Sequence, residues 1–219
     1  MNKKTKIVYN YYKDSKDIFS FLKGYDWPVL LCSNYNTFQN QRYDIITCSP
    51  IQKIYSYNEK TIVESNGVEK VYHDDPIDIL NNIMDSYHSD ISDLPFTGGA
   101  IGYMSYDLGN KYENIDFKNK DLDMPLMAFG IYDWVIIIDH LTQKTILLYE
   151  TENNLINTVK SHLENKNFKA HKTKNFSINS ECISNLTYDE YVKKFKMIQS
   201  YIKNGDCYQI NFSQRFSVG

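Results

Sequence analysis

The chain has 219 residues, is 42% hydrophobic and 15% aromatic with 19 Tyr, and carries a formal net charge of −3. That is ample material for a packed core, which excludes the disordered class, and no stretch is basic enough to give a nucleic-acid footprint. Four scattered cysteines, Cys32, Cys48, Cys182 and Cys207, form no CxxC pair, which disfavours zinc and redox motifs.

The first seventeen residues begin basic but continue through Tyr, Lys and Asp instead of an apolar run, so they do not read as a secretory leader. Pro28–Leu31 reads as a short buried strand. Arg42–Pro50 reads as a second, stopped by Pro50. From Ile51 to Tyr72 the pattern is a β-meander, with turns at Asn58-Glu59 and Asn66-Gly67. A helix is expected next, capped by Asp74 or Asp75 with Pro76 in its first turn. Ile77, Leu80, Met84 and Tyr87 then share one face, with Ile83 beside them. Residues 127–140, "MAFGIYDWVIIIDH", read as one long strand, and Lys144–Glu150 pairs back across "LTQ". The apolar run Trp134–Ile138 is too short to span a bilayer. A cytoplasmic setting without a membrane is therefore expected. A helix over Glu152–Lys166 turns Leu155, Ile156, Val159 and Leu163 inward, and the polar stretch Asn167–Asn185 reads as a linker.

The tail is the most sharply written segment. Thr187-Tyr188-Asp189-Glu190 fits a capping box; Tyr191, Phe195, Ile198 and Ile202 give an apolar face; Gly205 can end the helix in the left-handed conformation. The period then changes to two. Tyr208, Ile210, Phe212 and Phe216 alternate with Cys207, Gln209, Asn211, Ser213 and Arg215. This predicts a strand whose polar face is either the wall of a cleft or an ordinary solvated face.

Few residues announce chemistry by spacing alone. "GGAIGY" (Gly98–Tyr103) lacks the dinucleotide spacing, and its glycines are read as allowing close backbone approach. "SYDLGNKYE" reads as a helical turn with Ser105 as its cap. Ser33 stands at a strand end before a polar loop that returns through Arg42 and Tyr43; such a loop can hold a small polar ligand or simply connect strands. His73, His88, His140, His162 and His171 are spread out, and none sits in a hydrolase signature. "HDD" at His73–Asp75 is a helix start rather than a metal site.

Three motifs, in order and spacing, carry a resemblance: "FTGGAIGYMSYDLGNKYE", "MPLMAFGIYDWVIIIDH" and "YIKNGDCYQINFSQRF". The chain from about Trp27 onward is similar to the chorismate-utilising enzymes. The similarity is greatest to the component I branch of the aminodeoxychorismate (para-aminobenzoate) synthases, with anthranilate synthase component I as a near relative. The resemblance implies an α+β fold. Mostly antiparallel sheets form part of the two-sheet sandwich of the anthranilate synthase component I-like fold, with peripheral helices. It implies an N-terminal domain over 1–170, a linker over 171–186, and the start of a chorismate-binding region over 187–219.

The activity implied is amination of chorismate to 4-amino-4-deoxychorismate for p-aminobenzoate and folate, with Mg²⁺ and with ammonia from a glutamine amidotransferase partner. The family's lysine nucleophile, general acid and Mg²⁺-binding glutamates lie in C-terminal motifs that do not occur here. The chain thus resembles the N-terminal part, expected to be inactive alone and to bind no Mg²⁺ itself. Gln209 takes the place of the lysine that serves as general base in the water-adding relatives. Glutamine can orient a substrate but takes no proton at neutral pH, which favours the ammonia-using branch. The resemblance also makes Ser33, Asn40, Gln41, Arg42 and Tyr43 lining residues of a tryptophan-type pocket. The alternatives are anthranilate synthase component I and a non-catalytic module that binds L-tryptophan or a partner.

Overall fold

The computed structural model describes residues 4–33, 42–85, 87, 93–113, 124–165 and 177–218. The chain forms two compact units, residues 1–171 and 172–219. The first holds two five-stranded antiparallel sheets, as the α+β expectation requires. One sheet is built from β1 (Thr5–Asn10), β2 (Val29–Leu31), β3 (Tyr43–Thr47), β9 (Trp134–Asp139) and β10 (Lys144–Tyr149), in the order β1-β10-β9-β3-β2. The other holds β4 (Gln52–Ser56), β5 (Thr61–Ser65), β6 (Val68–Tyr72), β7 (Gly99–Met104) and β8 (Met127–Tyr132), in the order β6-β5-β4-β8-β7.

The first sheet is covered on both faces. Ile46, Trp134, Ile136, Ile138 and Leu147 pack with Ile18 and Leu22 of α1 (Ser15–Leu22). Ile156, Val159 and Leu163 of α4 (Asn154–Glu164) complete this cluster. Val135, Ile137, Ile146 and Leu148 form the opposite face, with Tyr43, Ile45, Leu94 and Phe96 against them. All six residues of β9 are therefore buried, which is why its sequence is continuously apolar instead of alternating. The second sheet packs Ile54, Val63, Met127 and Ile131 against Ile79 and Leu80 of α2 (Pro76–Met84). Asp75 caps α2, accepting from the Ile77 amide at 2.8 Å, as the Asp-Pro signal predicts. Ile79, outside the face singled out by spacing, is the residue that joins Leu80 in the core.

The expected long strand over 127–140 is broken. Asp133 separates β8 from β9, and the two halves enter different sheets: β8 pairs with β4 and β7, β9 with β3 and β10. Burial, chiefly, holds the Asp133 carboxyl above its usual range, with Glu150 adding to the effect. The Asp133 carbonyl accepts the Glu150 amide at 3.1 Å. A polar residue in the middle of an apolar run is the mark of that crossing.

β1 and α1 are absent from the sequence expectation. The turns fare better: Asn66 and Gly67 take φ of +51° and +75°, the left-handed pair a tight hairpin needs. In β7 the glycine reading holds. A Cβ on Gly102 would lie 2.0 Å from the Ala128 carbonyl oxygen on β8. After β7 come a 3₁₀ turn over Tyr106–Gly109 and the short α3 (Asn110–Glu113); Ser105 stands at the cap position but makes no side-chain cap hydrogen bond.

In the second unit, α5 (Tyr188–Asn204) starts at the predicted capping box. Thr187 accepts the Glu190 amide at 3.3 Å, and the Glu190 carboxylate accepts the Thr187 amide at 2.8 Å. Gly205, at φ +81°, ends it. Tyr191 stacks on Phe212 at 5.1 Å. The predicted strand over residues 207–216 does not form. Only β12 (Phe216–Ser217) pairs, with β11 (Ile183–Ser184). An alternating sequence becomes a strand only where a neighbour completes its hydrogen-bond ladder, and here the two-residue β11 is that neighbour. No helix among the described residues is long and apolar enough to cross a membrane.

Candidate functional site

Register brings the predicted loop residues together. Leu31 of β2 lies opposite Ile45 of β3, and Tyr43 opposite Asp139 of β9. Ser33, Arg42 and Tyr43 therefore sit at one end of the first sheet, where β2, β3 and β9 finish or begin. Asn40 and Gln41 lie outside the described residues.

Both polar side chains are already engaged within the protein. The Ser33 amide and hydroxyl both donate to Asp44 Oδ1, at 2.8 and 3.1 Å. Arg42 makes a two-pronged pair with Asp139, Nε to Oδ1 at 2.9 Å and Nη2 to Oδ2 at 2.6 Å. Asp139 also accepts the Leu141 and Thr142 amides and the Thr142 hydroxyl. The Arg42 hydrogen bonds hold its carboxyl well below the usual range, burial opposing them and Thr142 assisting. The Arg42 guanidinium also lies 4.6 Å from the centre of the Tyr43 ring.

A buried polar chain extends from Ser33. His140 Nε2 is 3.1 Å from Asp44 Oδ2, with both side chains almost fully buried. The Tyr11 hydroxyl is 2.8 Å from His140 Nδ1, and the Cys32 thiol is 3.7 Å from Asp44 Oδ2. Burial works against the Asp44 carboxylate. Hydrogen bonds from Ser15, Ser33 and His140 outweigh it and hold the carboxyl below its ordinary value. Tyr, His, Asp and Ser in one cluster invite comparison with a hydrolase triad, but the connectivity is wrong. Ser33 donates to the carboxylate, not to the imidazole, so no base is positioned to activate its hydroxyl. The arrangement can bind and orient; it is not built to attack.

Sequence reasoning did not find Tyr11, Asp44 or His140. His140 is 96 positions beyond Asp44, and only the β3–β9 register and the turn after β9 bring them together; no local signal marks it. A cavity of about 480 Å³ is lined by Tyr9, Tyr11, Tyr12, Leu163 and Glu164 among others. Gln209 lies in the second unit and is exposed, as are Asn211 and Ser213. Gln214 donates to the Ser184 hydroxyl at 2.6 Å, tying the segment to β11. Among the described residues no group of three or more His, Cys, Asp or Glu side chains is placed to hold a metal ion.

A family model described as chorismate binding enzyme matches residues 32–219. The chain belongs to that family. Among curated chorismate-family relatives, aminodeoxychorismate synthase component 1 of Escherichia coli (strain K12) is 36% identical over 204 residues, covering 90% of this chain and 44% of its own length. Anthranilate synthase component 1 of Acetivibrio thermocellus is 29% identical over 198 residues, covering 81% of this chain and 40% of its own. The crystal structure of anthranilate synthase component I from Streptococcus pneumoniae TIGR4 shares the fold with a TM-score of 0.63 at 25% identity, covering 82% of this chain and 42% of that one. The chain thus spans less than half the length of these relatives. The two-sheet architecture is that of the family, and the motifs at Phe96–Glu113, Met124–His140 and Tyr201–Phe216 fall within the matched residues.

Proposed function

We propose that this chain is the N-terminal part of an aminodeoxychorismate synthase component I, which aminates chorismate to 4-amino-4-deoxychorismate on the way to p-aminobenzoate and folate. The observation that carries this is the similarity across nearly the whole chain. Identity is 36%, 34% and 31% to the Escherichia coli, Salmonella typhimurium and Klebsiella aerogenes aminodeoxychorismate synthases and 27% to that of Streptomyces lividans, against 29% and 27% to two bacterial anthranilate synthases. Gln209 supports the ammonia-using branch, because an amide orients a substrate without deprotonating water at neutral pH. On this reading a glutamine amidotransferase supplies ammonia in the cytoplasm. Mg²⁺ would be held by the part of the enzyme that carries the family's glutamates and would there supply charge stabilisation to the substrate. The residues of this chain bind and orient. Residues 1–170 form an N-terminal domain, 171–186 a linker, and 187–219 the start of the chorismate-binding region.

The second reading, a tryptophan-binding role, rests on the Ser33 strand end. Ser33, Arg42 and Tyr43 lie at that end of the sheet, and Asn40 and Gln41 lie outside the described residues. The test pairs the purified chain with a separately produced polypeptide matching the remaining length of the relatives. Chorismate, Mg²⁺ and an ammonium salt are added, and product is read by mass spectrometry. No product is expected from the chain alone, and 4-amino-4-deoxychorismate from the pair. Anthranilate from the pair would replace the first reading with anthranilate synthase, and product from the chain alone would overturn the assignment as an inactive part. Heat and thermal stabilisation on tryptophan titration of the chain would support the second reading, and their absence would remove it.

A further inference from the structure

The Ser33 hydroxyl is where a ligand of the second reading would be met, so what fixes that hydroxyl matters. A carboxylate only accepts hydrogen bonds, so Asp44 Oδ2 must receive a proton from His140 Nε2. The other ring nitrogen, Nδ1, is hydrogen-bonded to the Tyr11 hydroxyl at 2.8 Å, so Tyr11 orients the ring that donates to Asp44. At the other oxygen, Asp44 Oδ1 takes both the amide and the hydroxyl proton of Ser33. The hydrogen-bonded chain links Tyr11, His140 and Asp44, with Ser33 donating into the same carboxylate. It joins the segment after β1, the turn after β9, strand β3 and the end of β2. Asp44 and His140 are nearly fully buried, so these bonds are held in a low-dielectric setting where each bond strengthens its neighbours.

We infer that Tyr11, His140 and Asp44 are positioning residues for Ser33: they commit its hydroxyl proton to Asp44 and leave only its lone pairs to face a ligand. Ser33 is thereby an acceptor at the site, selective for a ligand's N–H or O–H donors over its acceptor groups. The inference goes beyond the family's activity and rests on the second reading only where it concerns a ligand. The relay within the chain stands or falls by itself.

Tyr11→Phe tests it at the far end. That substitution removes one hydroxyl from a partly exposed ring and touches neither Asp44 nor Ser33. Amide and imidazole signals of the 219-residue chain are compared by NMR. The expected result is a shift of the His140 ring signals and of the Ser33 amide, with faster Ser33 hydrogen exchange, while the amides of Ile136 and Leu147 stay in place. Asp44→Asn is expected to move the same Ser33 signals further; if it does not fold, Tyr11→Phe still decides. A Ser33 amide unmoved in Tyr11→Phe while His140 responds would overturn the relay. With L-tryptophan as the probe, Tyr11→Phe is expected to weaken binding about 2- to 10-fold, the loss of one hydrogen bond's net contribution. Unchanged affinity would overturn the positioning role, whereas failure of the unaltered chain to bind tryptophan would overturn the ligand reading and leave the Ser33 signals to judge the relay.

Discussion

Helices α4 and α5 are written in the same language and end differently. Each begins at a side-chain cap, Asn153 for α4 and Thr187 for α5, and each carries an apolar stripe at helical spacing. In α4 the stripe is spent on the first sheet: Ile156, Val159 and Leu163 are buried against β9 and β10. In α5 none of the 17 residues is buried, and Phe195, Met197, Tyr201 and Ile202 remain 43–48% exposed. Caps and spacing make a helix, but stability comes from covering its apolar face. The two units therefore draw their stability from different sources, one from packing and the other from local hydrogen bonds.

Substitutions break that comparison, beginning with the largest effect. Ile136→Ala in β9 removes a fully buried side chain from the cluster under α1 and α4, and should cost about 2–5 kcal/mol by chemical denaturation. Ile202→Ala in α5 should cost less than about 1 kcal/mol, since little of its side chain leaves water. An equal loss at both sites would show that α5 packs as α4 does. Gly102→Ala follows. Its Cβ would meet the β8 backbone at 2.0 Å, so β7 must move, and a loss of about 1–3 kcal/mol is expected, seen as a lower melting temperature. Gly109→Ala, with nothing within 4 Å, is its control and should be nearly silent.

Acid titration probes the first unit electrostatically. The Asp139 carboxyl is held below its ordinary value of 3.8, first by the Arg42 hydrogen bonds. A depressed folded-state pKa contributes stability that is complete above the unfolded value and is lost as the pH falls through the folded one. Unfolding of the first unit should thus steepen below about pH 4. Asp139→Asn should flatten that limb, and an unchanged limb would mean the pair contributes nothing. The remaining test concerns the start of α5. Thr187→Ala removes one half of the capping box and should cost about 1 kcal/mol, visible as faster amide exchange in α5 with the melting of the first unit unmoved.

Much of this fold was legible in the chain because the signals are local. The meander β4–β6 follows from alternation and the Asn66-Gly67 turn, α2 from Asp75 and Pro76, and α5 from its capping box and Gly205. The failures share one cause. The run at 127–140 is apolar on both sides of Asp133, and one polar residue does not by itself say that the two halves enter different sheets. Residues 207–216 alternate as a strand does, yet a ladder needs a partner. Strand β1 is six residues long, and its register against β10 pairs residues 134 to 144 positions apart.

The candidate site divides in the same way. The sequence by itself pointed to the strand end at Ser33 and to Arg42 and Tyr43, because polar loop residues beside a strand end are visible locally. It also carried the family, because three spaced motifs are a property of order alone. Only the tertiary structure decided what those side chains do. It gave Arg42 to Asp139 and Ser33 to Asp44, and put His140 and Tyr11 behind Asp44. Such pairings depend on strand register and burial, which here couple residues from 11 to 129 positions apart and leave no periodic trace in the chain.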